Sequence, residues 1–135
     1  MVNTSGVFVN TSGLLNIFAA KAATGTGTAH KMEDYSRIFF RFGTATSANL
    51  TVKFQVSFSD SQPDFSASQS VTNHWDYVDV IDAQSGSSID GDTGVAVAGT
   101  DDFRIFEVNA GGAKWVCATI TARSAGSLTL DTYGF

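Results

Sequence analysis

Cysteine and proline each occur once in the 135 residues, as Cys117 and Pro63. A single cysteine excludes an internal disulfide, and its place in the apolar run WVCAT marks a buried, reduced thiol, so the fold does not depend on oxidising conditions. Charge is also scarce: charged residues make up 16% of the chain, the net charge is -5, and the 8 Lys and Arg are scattered. That excludes a sequence-independent grip on nucleic acid, which needs clustered cations to neutralise phosphates. No stretch approaches the roughly 18 apolar residues needed to span a bilayer, and no basic stretch leads into a secretory apolar one. The expectation is synthesis in the cytoplasm, with no membrane or nucleic-acid partner.

Long runs at helical spacing are missing too, and so are the signatures of catalysis. There is no Gly-x-Ser-x-Gly, no His-Glu-x-x-His, no Cys-His pair at motif spacing and no phosphate-cradling glycine loop. The chain is expected not to be an enzyme and to carry no cofactor.

What is present is alternation. In LTVKFQVSF, Leu50, Val52, Phe54, Val56 and Phe58 alternate with Thr51, Lys53, Gln55 and Ser57, the pattern of a half-buried strand. YSRIFFRF places Ile38, Phe40 and Phe42 inward and Arg37, Phe39 and Arg41 on the opposite face, and SLTLDTY repeats the logic with Leu128 and Leu130. LLNIFAA (14–20), FRIFEV (103–108) and KWVCATIT (114–121) are apolar on parts of both faces, as in central strands covered on both sides or surfaces awaiting a partner. HWDYVDVID (74–82) is a strand by its aromatic and β-branched content.

SAGS, NAGGA and DGDTG supply turn chemistry between these segments. SDSQPDFSASQS reads as a long surface loop and KAATGTGTAHK as a mobile, low-complexity connection. The fold class expected is all-β: a single-domain antiparallel β-sandwich of jelly-roll type over residues 14–135, with an immunoglobulin-like sandwich as the alternative.

Residues 1–13 contain a repeat, VNTSG at 2–6 and again at 9–13. They form either an arm whose Val2, Val7, Phe8 and Val9 dock on a neighbouring molecule, or an edge hairpin of the domain itself.

Three clusters are candidate sites. Asp90 and Asp92 resemble the first half of a calcium loop, but the twelfth position holds Asp101 rather than Glu, so a plain glycine-rich turn is the competing reading. Arg37, Phe39 and Arg41 put a phenylalanine between guanidinium groups, the composition of an interface core, unless the 21–31 connection covers it. Trp75, Tyr77 and Asp79 would suit sugar stacking, or else the aromatics belong to the core. His74 and Asp76 share a strand face but lack a third ligand for a metal.

The strand LTVKFQVSFSDS, the tryptophan of NHWDYVDV, the acidic turn SIDGDTG and the closing pair EVNAGGAKWVCATITARSAGSLTL together resemble small β-sandwich structural proteins of tailed-bacteriophage particles, capsid decoration or cement proteins among them. The resemblance implies a virion protein that binds the outer capsid surface, often as a homotrimer, with the major capsid protein as its partner. A carbohydrate-binding module of a tail or fibre is the alternative it leaves open.

Overall fold

The computed structural model describes residues 10–135. Its strands are β1 (Leu15–Lys21), β2 (Gly25–Thr26), β3 (His30–Lys31), β4 (Ile38–Ser57), β5 (Asp76–Tyr77), β6 (Val80–Asp82), β7 (Ser88–Ile89), β8 (Val95–Ala98), β9 (Phe103–Val108) and β10 (Trp115–Gly134). No helix occurs among the described residues.

The frame is the pairing of β4 with β10, 20 residues each, antiparallel from Ile38 opposite Gly134 to Ser57 opposite Trp115. YSRIFFRF and LTVKFQVSF, expected as separate strands, are the two halves of β4. In a straight strand Phe40 and Phe54 would lie about 46 Å apart, at about 3.3 Å per residue. Their rings stack with centroids 4.4 Å apart. The β4–β10 ladder therefore folds over on itself, and its halves belong to two facing layers. The first layer runs β1, the C-terminal half of β10, the N-terminal half of β4, then β9, β6 and β7. In the second, β2 and β3 flank the N-terminal half of β10, and β8 and β5 flank the C-terminal half of β4. The expected all-β, antiparallel sandwich is present as one domain.

Bulges make the fold-over. Between the pairs Ala45–Ser127 and Asn49–Ala125 the register slips, and Thr46 and Ser47 adopt φ of 66° and 50°. Extra unpaired residues of this kind bend a strand. Gly126 sits inside the bend at φ 76°, and a Cβ there would come within 2.4 Å of the Ala48 Cα and 2.6 Å of the Ala45 carbonyl oxygen. SAGS is thus a bend within β10 rather than a turn between strands.

Alternation sets which side chains meet in the middle. Phe40, Phe42, Phe106, Leu128 and Leu130 of the first layer face Leu50, Val52, Phe54, Val116, Ala118 and Ile120 of the second, all buried in one cluster. Phe58, expected to continue the inward row of LTVKFQVSF, lies just past the end of β4 and is 51% exposed.

The outer face of the second layer is covered from within the chain. Residues 59–75 lay Phe65 and Trp75 over Cys117, and the buried Gln55, expected to face solvent, donates through Nε2 to the Phe65 carbonyl at 3.0 Å. Asn73 ties this loop together: its Oδ1 accepts from the Asp64 amide at 2.8 Å, and its Nδ2 donates to the carbonyls of Asp64 and Ser68 at 2.9 and 3.1 Å. The 21–31 connection, read from the sequence as a low-complexity loop and, in one of two readings, as the cover of Phe39, supplies β2 and β3 to the edge of β10.

Candidate interaction face

Among the described residues nothing covers the outer face of the first layer, and the alternation that buries Phe40 and Phe42 places its side chains. Across β9, β4 and β10 the outward residues form rows: Glu107, Phe39 and Tyr133; then Ile105, Arg41 and Asp131; then Phe103, Gly43 and Thr129. The sequence-predicted group Arg37, Phe39 and Arg41 is brought together here. Phe39 is half-buried because Phe135 stacks on it, with centroids 5.8 Å apart and planes 7° from parallel, and not because the 21–31 segment covers it.

Arg37 lies over both rings, its Cζ 5.0 Å from the Phe39 centroid and 5.5 Å from that of Phe135. It also donates Nε and one terminal nitrogen to the two Glu107 oxygens, each at 2.9 Å. Those bonds favour the ionised carboxylate and hold Glu107 below the usual carboxylate range. Arg41 makes a second fork, donating to one Asp131 oxygen at 3.1 and 2.6 Å, while Asn16 Nδ2 donates to the other at 2.9 Å. The upper half of the face is therefore an aromatic plateau gripped by an ion pair.

The lower half is a trough of about 570 Å³ lined by Arg41, Gly43, Phe103, Ile105, Thr129 and Asp131 among others. Its floor exists because Gly43 adds no side chain between Phe103 and Thr129. Its wall is apolar: Phe103 is 79% and Ile105 53% exposed. Of the two readings of FRIFEV, covered on both sides or a surface awaiting a partner, the structure fits the second: only its Phe106 and Val108 side is buried. Glu107 was the signal for this, since Phe103, Ile105 and Glu107 share a face and the carboxylate marks it as outward.

The other predicted clusters are put to structural use. Asp90 closes its own turn: one carboxylate oxygen accepts from the amides of Asp92 and Thr93 at 2.8 and 3.2 Å, and its carbonyl accepts from Gly94 at 2.9 Å. Asp101, at the twelfth position, accepts from the Ser47 amide at 2.9 Å. Among the described residues no three His, Cys, Asp or Glu side chains gather as a metal site.

Trp75 is buried at 6% exposure, with Phe65 and Tyr77 against it at centroid distances of 6.0 and 5.1 Å and its Nε1 donating to Ala67 O at 3.1 Å. Of the two readings, the ring is a core anchor rather than an exposed stacking platform. Asp79, grouped with it, accepts from the Gly91 amide at 2.7 Å. His74 is exposed, and His30 is engaged through Nε2 with the Asn16 carbonyl at 2.7 Å, so the histidines do not meet. Val2, Val7, Phe8 and Val9, and with them the arm or hairpin expected of residues 1–13 up to Val9, lie outside the described residues. Ser12 is held at the end of β10, its amide donating to Gly134 O at 2.9 Å and its hydroxyl accepting from Gly134 N at 2.7 Å.

Burial pushes the Cys117 thiol up to about 11. Because its folded value exceeds the unfolded one of about 8.5, the stability it contributes is full below that pH and is lost as pH rises toward 11. Wild type should lose about 2–3 kcal/mol more than Cys117→Ala between pH 8 and 11 in urea titrations, and a native thiol that alkylates readily at pH 8 would contradict the burial.

No family model and no curated protein sequence matches the chain. Among solved structures, the crystal structure of the SPBc2 prophage-derived protein YomS is similar in fold, with a TM-score of 0.65 over 95% of this chain and 96% of that one, at 8% sequence identity. At that identity the likeness is one of fold.

Proposed function

We propose that the chain is a non-enzymatic structural protein of a tailed-phage particle, a decoration or cement protein that binds the outer capsid surface as a homotrimer and stiffens the shell. The major capsid protein is its partner and the virion its location. The observation that carries this reading is the open outer face of the first layer, where an aromatic plateau and an apolar trough lie side by side. Contiguous exposed apolar surface on a small domain marks a contact with another protein. Aromatic and arginine side chains at its centre are the composition of binding hot spots.

A phage setting is supported by the sequence resemblance and by the prophage origin of the protein with the same fold. Repetition on a symmetric shell would turn a modest contact into a strong one, because each bound copy raises the effective concentration of the next contact.

The reading is tested on purified particles of the phage that encodes the chain. Quantitative mass spectrometry should find the chain in fixed proportion to the major capsid protein, and particles made without it should break at a lower temperature. Absence of the chain from wild-type particles, or particles made without it that break at the wild-type temperature, would refute it.

A further inference from the structure

We infer that the trough beside Phe103 and Ile105 receives the apolar stretch Val7, Phe8 and Val9 of a second copy of this chain, so that copies join head to tail. This rests on the reading of the chain as an oligomeric particle protein, and it names the surfaces by which the copies meet.

The trough asks for an uncharged occupant. Its two guanidinium groups are ion-paired, Arg41 with Asp131 and Arg104 with Asp82, although the buried Arg104 Nε has no hydrogen-bond partner. Beside them stands the exposed apolar wall of Phe103 and Ile105, with the Phe103 ring lying against Gly43. Residues 2–13, VNTSGVFVNTSG, contain no charged side chain, and their bulkiest apolar group is the run Val7, Phe8, Val9. Burying a phenylalanine between Phe103 and Ile105 would remove apolar surface from water on both partners without stranding a charge.

Reach decides between a chain's own trough and a neighbour's. Ser12 is fixed to Gly134, which pairs with Ile38, while the trough floor Gly43 lies five residues further along β4. Five residues of strand are about 17 Å, and the step from the β1 edge across β10 to β4 adds about 10 Å sideways, so the separation is about 20 Å. Phe8 is four residues from Ser12 and extends at most about 14 Å from it. At that reach the Phe8 Cα falls short of its own Gly43, whereas the trough of an adjacent copy is under no such limit. Arm and trough are different surfaces, so the contact is heterologous, and a rotation that closes makes a ring such as a trimer.

The test is the mass in solution, by sedimentation velocity, of the full chain carrying Phe8→Asp or Phe103→Asp. Phe103 is largely exposed, so its variant should keep the wild-type melting temperature while the mass falls from an oligomer to a single chain. Phe8→Asp should do the same. Mixing the two should restore a pair, because one variant retains an intact trough and the other an intact arm. A monomeric wild type, variants that stay oligomeric, or a mixture that stays monomeric would each overturn the contact. Co-sedimentation with phage shells separates this from the broader proposal: a monomeric wild type that still binds shells overturns the arm contact and the trimer but leaves shell binding standing, and an oligomer that ignores shells overturns the particle reading alone.

Discussion

Gly126→Ala is expected to lower the melting temperature by about 10 °C, from a destabilisation of about 2–5 kcal/mol. Two costs combine. The residue sits at φ 76°, where an L side chain costs about 1–2 kcal/mol. Its Cβ would also press on the Ala48 Cα at 2.4 Å and the Ala45 carbonyl at 2.6 Å, which are backbone and backbone-adjacent atoms that cannot swing aside. Gly99→Ala isolates the first cost, since Gly99 has φ 73° and nothing within 4 Å of the added carbon. Thermal unfolding of both variants should place Gly99→Ala about 1–2 kcal/mol below wild type and Gly126→Ala well beyond it. Equal effects would mean that the bend at Ala45–Ala48 is loose, and that the fold-over of β4 is not built on this close approach.

Phe54→Ala is expected to cost about 3–5 kcal/mol, read as a lower urea midpoint at unchanged slope. Phe54 is buried against Phe40 at 4.4 Å and Phe106 at 5.7 Å, so truncating it opens a cavity where the two halves of β4 and strand β9 converge. Phe58 belongs to the same alternating series but lies past the strand end, and Phe58→Ala should stay within about 0.5 kcal/mol of wild type. The pair separates a ladder folded over at its middle from one that merely alternates.

These residues also show what a reader of the sequence alone could see. Alternation correctly placed Ile38, Phe40, Phe42, Leu50, Val52, Phe54, Leu128 and Leu130 inside, and Arg37, Phe39 and Arg41 outside, because side-chain period depends only on local backbone geometry. It could not reveal that YSRIFFRF and LTVKFQVSF are one strand. A bulge and a turn use the same residues, and TATSA with SAGS offers the positive-φ positions either would need. Burial of Gln55, Cys117 and Trp75 was harder still. It depends on a loop whose closure rests on Phe65 and on the Asn73 hydrogen bonds, contacts that the polar composition of SDSQPDFSASQS conceals. On the candidate face, the arginines and Phe39 were legible, whereas the trough was not. It arises where Gly43, Phe103 and Thr129 become neighbours across strands far apart in sequence. The Asp90 turn was legible as turn chemistry, and the structure spends its carboxylate on backbone amides.

The central claim is that this open face of the first layer grips the particle. The most direct measurement is co-sedimentation of the purified chain with phage shells lacking it, comparing wild type with Phe39→Asp and with Val71→Asp. Val71 is 95% exposed on the covering loop of the other layer and serves as the control. The account predicts saturable binding by wild type and Val71→Asp and loss of binding by a folded Phe39→Asp. Undiminished binding by Phe39→Asp, or loss confined to Val71→Asp, would contradict it.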